Sequence, residues 1–430
     1  MIYTTVLGQY LELPLTKNLE YLKVIKKCLL FSIFILSHNA YSQYYETLPK
    51  GVRLVLNRYI QSNVTSSFNS SQAETPFFTQ IDVDIKTLEQ IEEPLIQDVL
   101  SSLRPYNKAY DQINLGTHEI DASADLSVNV YGYAHGITDR VTAYVGIPIF
   151  DANVNVKYKR TKAPTTKEVS TILQEEYGDN IAQGIGGIVE NFYDIDAPTI
   201  QSAIVNGFNY DEVGSWRGQG LGDIELGVRY NFLKENNYGL MVTGGLNLPT
   251  GYVNDPDIIQ DISFGDGQLD AFVEFGGGMN IKKDLIFNAF TRFTYQFESD
   301  KTLRAPISEN FALNDTKSRF TEKLGNRFLL TTQLEYHPTD WLKIEPSLIY
   351  NYIGKADYSS NNQTANRLLA LNTEASSTSL RLMGQISSVN LYKQKKFLLP
   401  AHIYFAYENM VYGKNIPKAD ILEVEFRMYF

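Results

Sequence analysis

The sequence feature that most constrains this chain is a strict alternation of apolar and polar side chains in segments of about ten residues. Residues 223–232 read DIELGVRYNF, and residues 285–297 read LIFNAFTRFTYQF. A side-chain period of two is typical of β-strands. Further segments of this kind lie near 125–130, 136–147, 153–159, 239–249, 269–281, 325–337, 341–352, 378–391 and 398–408. Turn residues such as Pro338-Thr339-Asp340 separate neighbouring segments. The pattern therefore predicts an all-β antiparallel fold.

Two architectures produce such an alternation. In a soluble sandwich the apolar face packs into a core, whereas in an outer-membrane barrel it faces lipid and the polar face lines the lumen. Strand length favours the barrel, because a membrane strand needs about 9–11 residues and globular strands are typically about 5–6. Short turns also alternate with long polar connections, at residues 160–220, 250–266, 298–324 and 354–377. We therefore predict a transmembrane barrel of 12–14 strands, with 14 favoured.

The last residues of the chain strengthen the barrel prediction. Four apolar residues, Val424, Phe426, Met428 and Phe430, alternate with polar ones, and the chain stops on the aromatic Phe430. A closing strand of this kind resembles the signal that the barrel-assembly machinery reads. The alternative is an ordinary edge strand that happens to end in Phe. The expected partners are therefore this machinery and outer-membrane lipid.

The amino terminus predicts export. Residues 1–42 include a lysine-rich stretch, a nine-residue apolar run from Cys28 to Leu36, and the small-x-small site Ala40-Tyr41-Ser42. Such a run is too short to span a bilayer as a helix, so we expect a cleaved signal peptide. The alternative is a buried helix of a cytosolic domain. The expected location is the outer membrane of a Gram-negative-type bacterium.

Two regions do not follow the strand pattern. Residues 84–105 and 166–206 show helical spacing of their apolar residues, which predicts short helices in an N-terminal part and in an extracellular loop. The resulting organisation is an N-terminal segment at 43–120 and a barrel at 121–430 with a helical insertion at 161–219. We expect segment 43–120 to be a plug or a periplasmic part.

Composition excludes several functions. The formal net charge of −11 argues against a nucleic-acid partner, which needs a positive surface. Five His and one Cys, without metal-ligand spacing, predict neither a metal site nor a disulfide framework. We identify no catalytic arrangement and no cofactor motif, so an enzyme is not expected.

Short glycine-rich motifs point to a family. Gly220, Gly222 and Asp223 precede one strand, and Pro249-Thr250-Gly251 ends the next. This "GxGD…PTG" pattern resembles that of outer-membrane transporters related to the long-chain fatty acid channel, and most closely the phenol meta-cleavage-pathway group. The resemblance implies a 14-stranded barrel that passes small hydrophobic molecules across the outer membrane.

The leading hypothesis is a channel for passive uptake of small hydrophobic or aromatic solutes. Its lumen would be lined by polar residues of the alternating strands, among them Asp223, Glu225, Arg229 and Arg292. The alternative is a structural or adhesive barrel whose loop at 166–220 binds a partner. Transport predicts ligand-sized apolar niches in a continuous lumen, whereas adhesion predicts a plugged lumen and an ordered protruding loop. The substrate and the oligomeric state stay open.

Overall fold

The computed structural model describes residues 45–89, 94–190, 197–309 and 313–430, and the predicted signal peptide at 1–42 lies outside them. The strands are β1 (Arg53–Val64), β2 (Ser66–Phe68), β3 (Glu74–Pro76), β4 (Thr79–Asp84), β5 (Asn114–Thr138), β6 (Val141–Lys162), β7 (Trp216–Leu221), β8 (Ile224–Lys234), β9 (Tyr238–Leu248), β10 (Asp270–Lys282), β11 (Leu285–Gln296), β12 (Ser299–Leu303), β13 (Ser318–Lys323), β14 (Arg327–Thr339), β15 (Leu342–Ile353), β16 (Asp357–Ser359), β17 (Ala375–Ser387), β18 (Ala401–Lys414), β19 (Ile416–Pro417) and β20 (Asp420–Tyr429). The helices of the described residues are α1 (Ile85–Glu89), α2 (Pro94–Leu103), α3 (Asn107–Tyr110), α4 (Thr166–Tyr177), α5 (Asp179–Glu190), α6 (Ala197–Ser202), α7 (Gln363–Leu369) and α8 (Val389–Lys393), and a π-helical segment lies at Ala203–Gly207.

Fourteen strands join into one antiparallel sheet, and twelve of them close into a barrel. The order around the wall is β5, β1, β20, β18, β17, β15, β14, β11, β10, β9, β8 and β6, and pairing of β6 with β5 closes the ring. Closure leaves no exposed sheet edge in the wall. Of the two remaining strands, β4 pairs with the outer half of β5 and β7 pairs with the middle of β6. The predicted antiparallel barrel of 12–14 strands is confirmed, but its wall has 12 strands rather than the favoured 14, because β4 and β7 add to the sheet without entering the ring.

The wall begins earlier in the chain than residue 121. Strand β1 lies between the C-terminal strand and β5, where Leu54 pairs with both Tyr429 and Ala134. The boundary predicted from the sequence is therefore corrected to the start of β1. Its sequence, RLVLNRYIQSNV, places Asn57 and Gln61 among the outward positions. The two-residue alternation is therefore too weak there to identify the strand.

The two ends of the barrel differ. At one, the short-turn end, the connections are residues 139–140, 235–237, 283–284, 340–341 and 388–400. At the other, the long-loop end, connections such as residues 163–215 and 249–269 carry most of the irregular structure. In outer-membrane barrels short turns face the periplasm and long loops face the exterior.

The outer surface of the wall is an apolar belt. Its exposed members include Tyr59, Tyr131, Tyr133, Leu226, Val228, Tyr230, Phe232, Val273, Phe275, Phe293, Tyr295, Leu330, Leu334, Leu348, Leu380, Leu382, Phe405, Tyr407, Leu422 and Phe426. The inward positions of the same strands are buried and many of them are charged. A water-soluble sandwich would show the opposite arrangement, so the belt is a lipid-facing surface.

The hairpin β5–β6 departs from this rule in its outer half. Both strands are far longer than the roughly 9–11 residues needed to cross a bilayer. In the outer half of β5, Leu126 and Val128 are buried on the inner face and Asp125 is exposed on the outer face. For residues 125–130 and 153–159 the expectation that the apolar face meets lipid is therefore wrong. The hairpin continues beyond the membrane, where its outer face meets water.

Helices from two parts of the chain form one cap at the long-loop end. Leu88 of α1 and Leu100 of α2 share an apolar core with Val169 and Leu173 of α4. The helical content predicted for residues 84–105 and 166–206 is confirmed. The first of these regions lies in the cap, however, and neither plugs the barrel nor lies at the short-turn end. Within the described ranges, no helix is long and apolar enough to cross a membrane.

Candidate functional site: the barrel interior

The barrel interior contains three groups of side chains, which we call the apolar mouth, the charged belt and the stopper. The apolar mouth lies towards the long-loop end and is built mainly on the inner faces of β1, β5 and β6, with further residues from β15, β18, β20 and the loop at 249–269. Its buried members include Ile60, Val64, Ala124, Leu126, Val128, Val130, Phe150, Ala152, Val154, Ile262, Phe264, Ile353, Met410 and Ile421. Inward positions of water-filled barrels are polar, so this surface is unusual.

The loop at residues 249–269 folds into the mouth. The ring of Phe264 stacks on that of Phe150, with centroids 5.2 Å apart and planes at 4°. Ile262 is buried in the same apolar cluster. Two glycines make room for this ring, because a Cβ at Gly218 or Gly220 would lie 3.2 Å from atoms of Phe264. The loop therefore fills the outer part of the lumen with apolar side chains.

The glycine-rich motif residues fasten this loop. Oδ1 of Asp223 accepts a hydrogen bond from the backbone amide of Gly251 at 2.9 Å, and its Oδ2 accepts one from the amide of Asp266 at 3.2 Å. The hydroxyl of Thr250 donates to the carbonyl of Gly222 at 2.9 Å. Glycine is needed at 222, because a Cβ there would lie 2.4 Å from the ring of Phe150. Pro249 ends β9 at the exposed bend before these bonds.

The sequence placed Asp223 among the lumen-lining candidates, and the structure places it in the loop before β8. Burial raises the pKa of Asp223 to about 6, with a further increase from the nearby Asp266 carboxylate. The two backbone amides act in the opposite direction by stabilising the anion. Asp223 is therefore an anchor of the in-folded loop.

Two other candidates, Glu225 and Arg292, meet inside the barrel. Nη1 of Arg292 lies 2.9 Å from Glu225, and its Nε lies 3.1 Å from Glu274. The phenol of Tyr144 donates to Glu225 at 2.8 Å. The guanidinium also lies over the ring of Phe272, 4.1 Å from its centroid. One buried cation thus joins β6, β8, β10 and β11.

The fourth candidate, Arg229, is buried on the inner face of β8. The strand register places it between Thr142 of β6 and Thr243 of β9. It lies two positions along β8 from Gly227, where a Cβ would collide with the ring of Tyr144. Arg229 therefore contributes positive charge close to the group formed by Glu225 and Arg292.

The opposite side of the wall carries a second set of charges that the sequence did not identify. Arg58 pairs with Glu425 and, at 3.3 Å, with Glu423. Glu423 also accepts a hydrogen bond from Arg381 at 2.9 Å, and Glu425 pairs with Arg427. The signal was present in the polar partners of the closing strand, which reads LEVEFRMYF from residue 422.

Lys343 extends these charges along β14 and β15. Its Nζ lies 3.1 Å from Glu345 and 3.6 Å from Glu335. These pairs, with those of Arg292, Arg58 and Arg381, form the charged belt. Its members are buried, so breaking one pair leaves an uncompensated charge in a place of low polarity.

The stopper is Tyr45, which enters the barrel from the short-turn end. Its ring packs with Met241, Phe290, Leu329 and Ile349. The fit is close on one side, where a Cβ at Gly239 would lie 2.3 Å from the ring.

Residues 47–50 hold the stopper segment to the turn between β5 and β6. The backbone amide of Leu48 donates to Thr142 at 2.8 Å, and that of Lys50 donates to Asp139 at 2.9 Å. Part of the segment predicted as a plug or a periplasmic part thus reaches the lumen.

A cavity of about 40 Å³ lies beside the charged belt, lined by Leu56, Arg58, Gly132, Tyr144 and Glu225 among others. For comparison, a cavity that accepts benzene has a volume of about 150 Å³. The cavity is too small for a hydrocarbon solute. In the part of the chain that the structure describes, no cluster of His, Cys, Asp and Glu could hold a metal ion.

A closed antiparallel barrel with an apolar outer belt and a charged interior is a transmembrane β-barrel of the outer-membrane type. Its C-terminal strand seals the wall against β1, as the registers of both neighbours of β20 show. The fold therefore places the protein in the outer membrane.

Comparison with solved structures supports the fold. An outer membrane channel from Pseudomonas putida F1 matches over 90% of this chain and 98% of its own, with 12% identity and a TM-score of 0.51. Two other matches are the toluene transporter TbuX of Ralstonia pickettii (10% identity, 89% and 90% coverage, TM-score 0.34) and a FadL homologue from Pseudomonas aeruginosa (8%, 88% and 89%, 0.31). At these identities the likeness concerns the fold alone, and of these three matches the first is close enough to support it. No protein-family profile and no curated protein sequence matches the chain.

Proposed function

We propose that this protein is an outer-membrane channel for the passive uptake of small hydrophobic or aromatic solutes. The observation that carries the proposal is the apolar mouth. Inner positions such as Leu126, Val128 and Phe150 would be polar in a barrel that conducts water and ions. An apolar inner surface lowers the free energy of a hydrocarbon by about 25 cal/mol for each Å² that it removes from water.

The described conformation is closed. The mouth is filled by Phe264 and Ile262, and Tyr45 lies within the barrel. A solute can replace Phe264 with little loss, because both present apolar surface to the same residues. We infer that passage requires outward movement of the loop at 249–269, followed by displacement of Tyr45.

The direction of transport follows from the two ends. The apolar mouth lies at the long-loop end, which faces the exterior in barrels of this class. A solute that leaves the external medium therefore reaches apolar surface before it reaches the charged belt. No energy-coupling step is needed if the solute is diluted or consumed on the periplasmic side.

The adhesive alternative is favoured by one observation, the ordered cap. Helices α1 to α4 share an apolar core, as expected of a protruding loop with a defined shape. A cap of this kind is equally suited to cover the mouth of a channel. An adhesive barrel, however, has no need of an apolar inner surface, and so we rank it second.

The proposal assigns no catalytic step and no cofactor to the protein. Several titratable groups of the interior are engaged in ion pairs, among them Arg292 with Glu225 and Lys343 with Glu345. Their proposed role is to hold the wall together around the lumen.

Native mass spectrometry of the protein, extracted in a mild detergent, tests the proposal. We expect small apolar molecules to be retained by the wild-type barrel and lost in the variant Val128→Thr. The matched control, Val228→Thr, makes the same change on the lipid-facing side and should retain them. An empty wild-type barrel, together with binding of a protein partner to the cap of the full chain, would support the adhesive function instead.

A further inference from the structure

The connection between β17 and β18 differs from its neighbours at the short-turn end. The other turns there are residues 139–140, 235–237, 283–284 and 340–341, whereas this one is residues 388–400. Its sequence, SVNLYKQKKFLLP, combines apolar and cationic residues. We call it the 388–400 hairpin.

The hairpin has a defined conformation. The hydroxyl of Ser388 accepts a hydrogen bond from the amide of Ala401 at 2.9 Å and thereby closes its base. Helix α8 ends where Lys395 adopts φ 59°, and the amides of Lys395 and Lys396 each donate at 2.8 Å to carbonyls of α8. This is the usual C-terminal cap of a helix, with lysine at the position where glycine is preferred. The 388–400 hairpin is therefore an ordered element of the structure, in which Lys395 adopts the left-handed backbone conformation.

Its apolar side chains are left in the open. Leu398 is 89% exposed, and Phe397 and Leu399 beside it are also exposed. On α8, Leu391 and Tyr392 are exposed as well. Five apolar residues in one short connection form an apolar patch that water solvates poorly.

Charge surrounds this patch. Lys393, Lys395 and Lys396 are all exposed, although the chain as a whole carries a net charge of −11. Apolar residues beside lysines, at the edge of a membrane-spanning surface, are typical of segments that lie in the headgroup region. Clustered lysines next to a membrane favour anionic lipids.

The position of the hairpin agrees with this interpretation. Asn390 donates to the carbonyl of Asp340 at 3.3 Å, and the amide of Ser387 donates to the carbonyl of Trp341 at 2.8 Å. Trp341 is half exposed, as are Ile386 and Ile403 on the outward faces of β17 and β18. The hairpin therefore adjoins the edge of the apolar belt at the short-turn end. Trp341, which lies beside it, is a residue type typical of membrane interfaces.

We propose that the 388–400 hairpin is an interfacial anchor that binds anionic phospholipid at the leaflet beside the short-turn end. The exposed leucines and Phe397 enter the acyl boundary, and the three lysines contact phosphate headgroups. The inference depends on the barrel being in a membrane and is independent of any solute that it conducts.

A single labelled cysteine tests the anchor in the full chain. Cys28 is the chain's one cysteine and lies in the predicted signal peptide, so Leu398→Cys gives the mature protein one site for an environment-sensitive fluorophore. The labelled protein is reconstituted into vesicles of phosphatidylethanolamine with or without phosphatidylglycerol. We expect a blue-shifted emission and quenching by a nitroxide lipid, both stronger when phosphatidylglycerol is present. A label at Asn237→Cys, in an exposed polar turn of the same end, serves as the matched control and should stay in water.

Three lysine substitutions supply the charge test. Each of Lys393→Gln, Lys395→Gln and Lys396→Gln should lower the ratio of inserted to exposed label roughly fivefold in the anionic vesicles. High salt should have the same effect. The proposal would be overturned if the labels at 398 and 237 were equally exposed. It would also be overturned if the quenching depended neither on phosphatidylglycerol nor on the lysines. Protection found only in native membrane fragments would assign the hairpin to a protein partner and overturn it too.

Discussion

Asp223 and Gly251 are joined by a hydrogen bond of 2.9 Å that fixes the start of the in-folded loop. The other carboxylate oxygen of Asp223 binds the amide of Asp266, near the end of the same loop. Gly265 has no room for a side chain, because a Cβ there would lie 2.3 Å from Oδ1 of Asp223. One carboxylate therefore holds both ends of the segment that carries Phe264 into the mouth.

This anchor should depend on pH. The pKa of Asp223 is raised from 3.8 to about 6 in the folded protein, so folding is favoured by protonation of this group. Protonation of Asp223 therefore adds to the free energy of unfolding. This contribution is fully present below about pH 4 and is lost as the pH rises through 6, with an upper limit of about 3 kcal/mol. Urea unfolding at pH 4 and pH 7 should show this loss in the wild type. The variant Asp223→Asn should lack it, and an identical pH dependence in both proteins would contradict the assignment.

Removal of the stopper should clear the short-turn end of the lumen, so that movement of the loop at 249–269 alone opens the path. Tyr45→Ala deletes the ring that packs with Met241 and Phe290, so single-channel conductance in planar bilayers should rise above that of the wild type. Gly239→Ala should act in the same direction, because its Cβ would lie 2.3 Å from the ring. Gly384→Ala is the matched control, since a Cβ there meets open space. Unchanged conductance in both Tyr45→Ala and Gly239→Ala would show that Tyr45 does not obstruct the path.

The ion pairs of Arg292 should stabilise the barrel far more than surface pairs do. Arg292→Met leaves Glu225 and Glu274 buried together, and we expect a loss of about 3–5 kcal/mol in the free energy of unfolding. Adding Glu225→Gln and Glu274→Gln should recover most of this loss. The control is the exposed pair of Arg217 with Asp151, where Arg217→Met should cost at most about 1 kcal/mol. Equal losses at the two sites would contradict a buried charged belt.

The C-terminal residue should matter for assembly rather than for stability. Phe430 is 56% exposed and exchanges backbone hydrogen bonds with Arg53 that an alanine can also make. Phe430→Ala should therefore leave the unfolding midpoint of the purified barrel nearly unchanged. The amount of folded protein in the outer membrane should fall, as measured by the heat-dependent shift in gel mobility. Tyr412→Ala, which removes another exposed aromatic residue near the long-loop end, should have normal yield.

The sequence predicted the parts of this fold that depend on local pattern. Strands such as β8 and β11 have lipid on one side and a polar interior on the other, so their alternation is visible residue by residue. The polar side of β8 also gave Glu225 and Arg229 as interior residues. The helices of the cap could be recognised from their apolar spacing, because they pack their apolar sides into the core of the cap.

Other features depend on tertiary context that a single sequence does not contain. Leu126 and Val128 show the same alternation as a lipid-facing strand, yet their apolar side faces inward because the hairpin rises above the membrane. On β1 the polar residues Asn57 and Gln61 face outward, so the alternation of apolar and polar residues is interrupted and does not identify the strand. Tyr45 gives no signal, because the lumen that receives it is formed by residues distant in sequence.

The most direct test of the central claim is the initial rate of toluene uptake by cells whose own hydrocarbon channels are deleted. We predict that the wild-type protein speeds the entry of radiolabelled toluene but not of raffinose. Val128→Thr places an unpaired hydroxyl in the mouth, at a cost of about 1–3 kcal/mol, and should slow toluene entry roughly tenfold, whereas Val228→Thr should not. Entry of raffinose as fast as toluene, or equal toluene rates in all three proteins, would contradict an apolar path through the mouth.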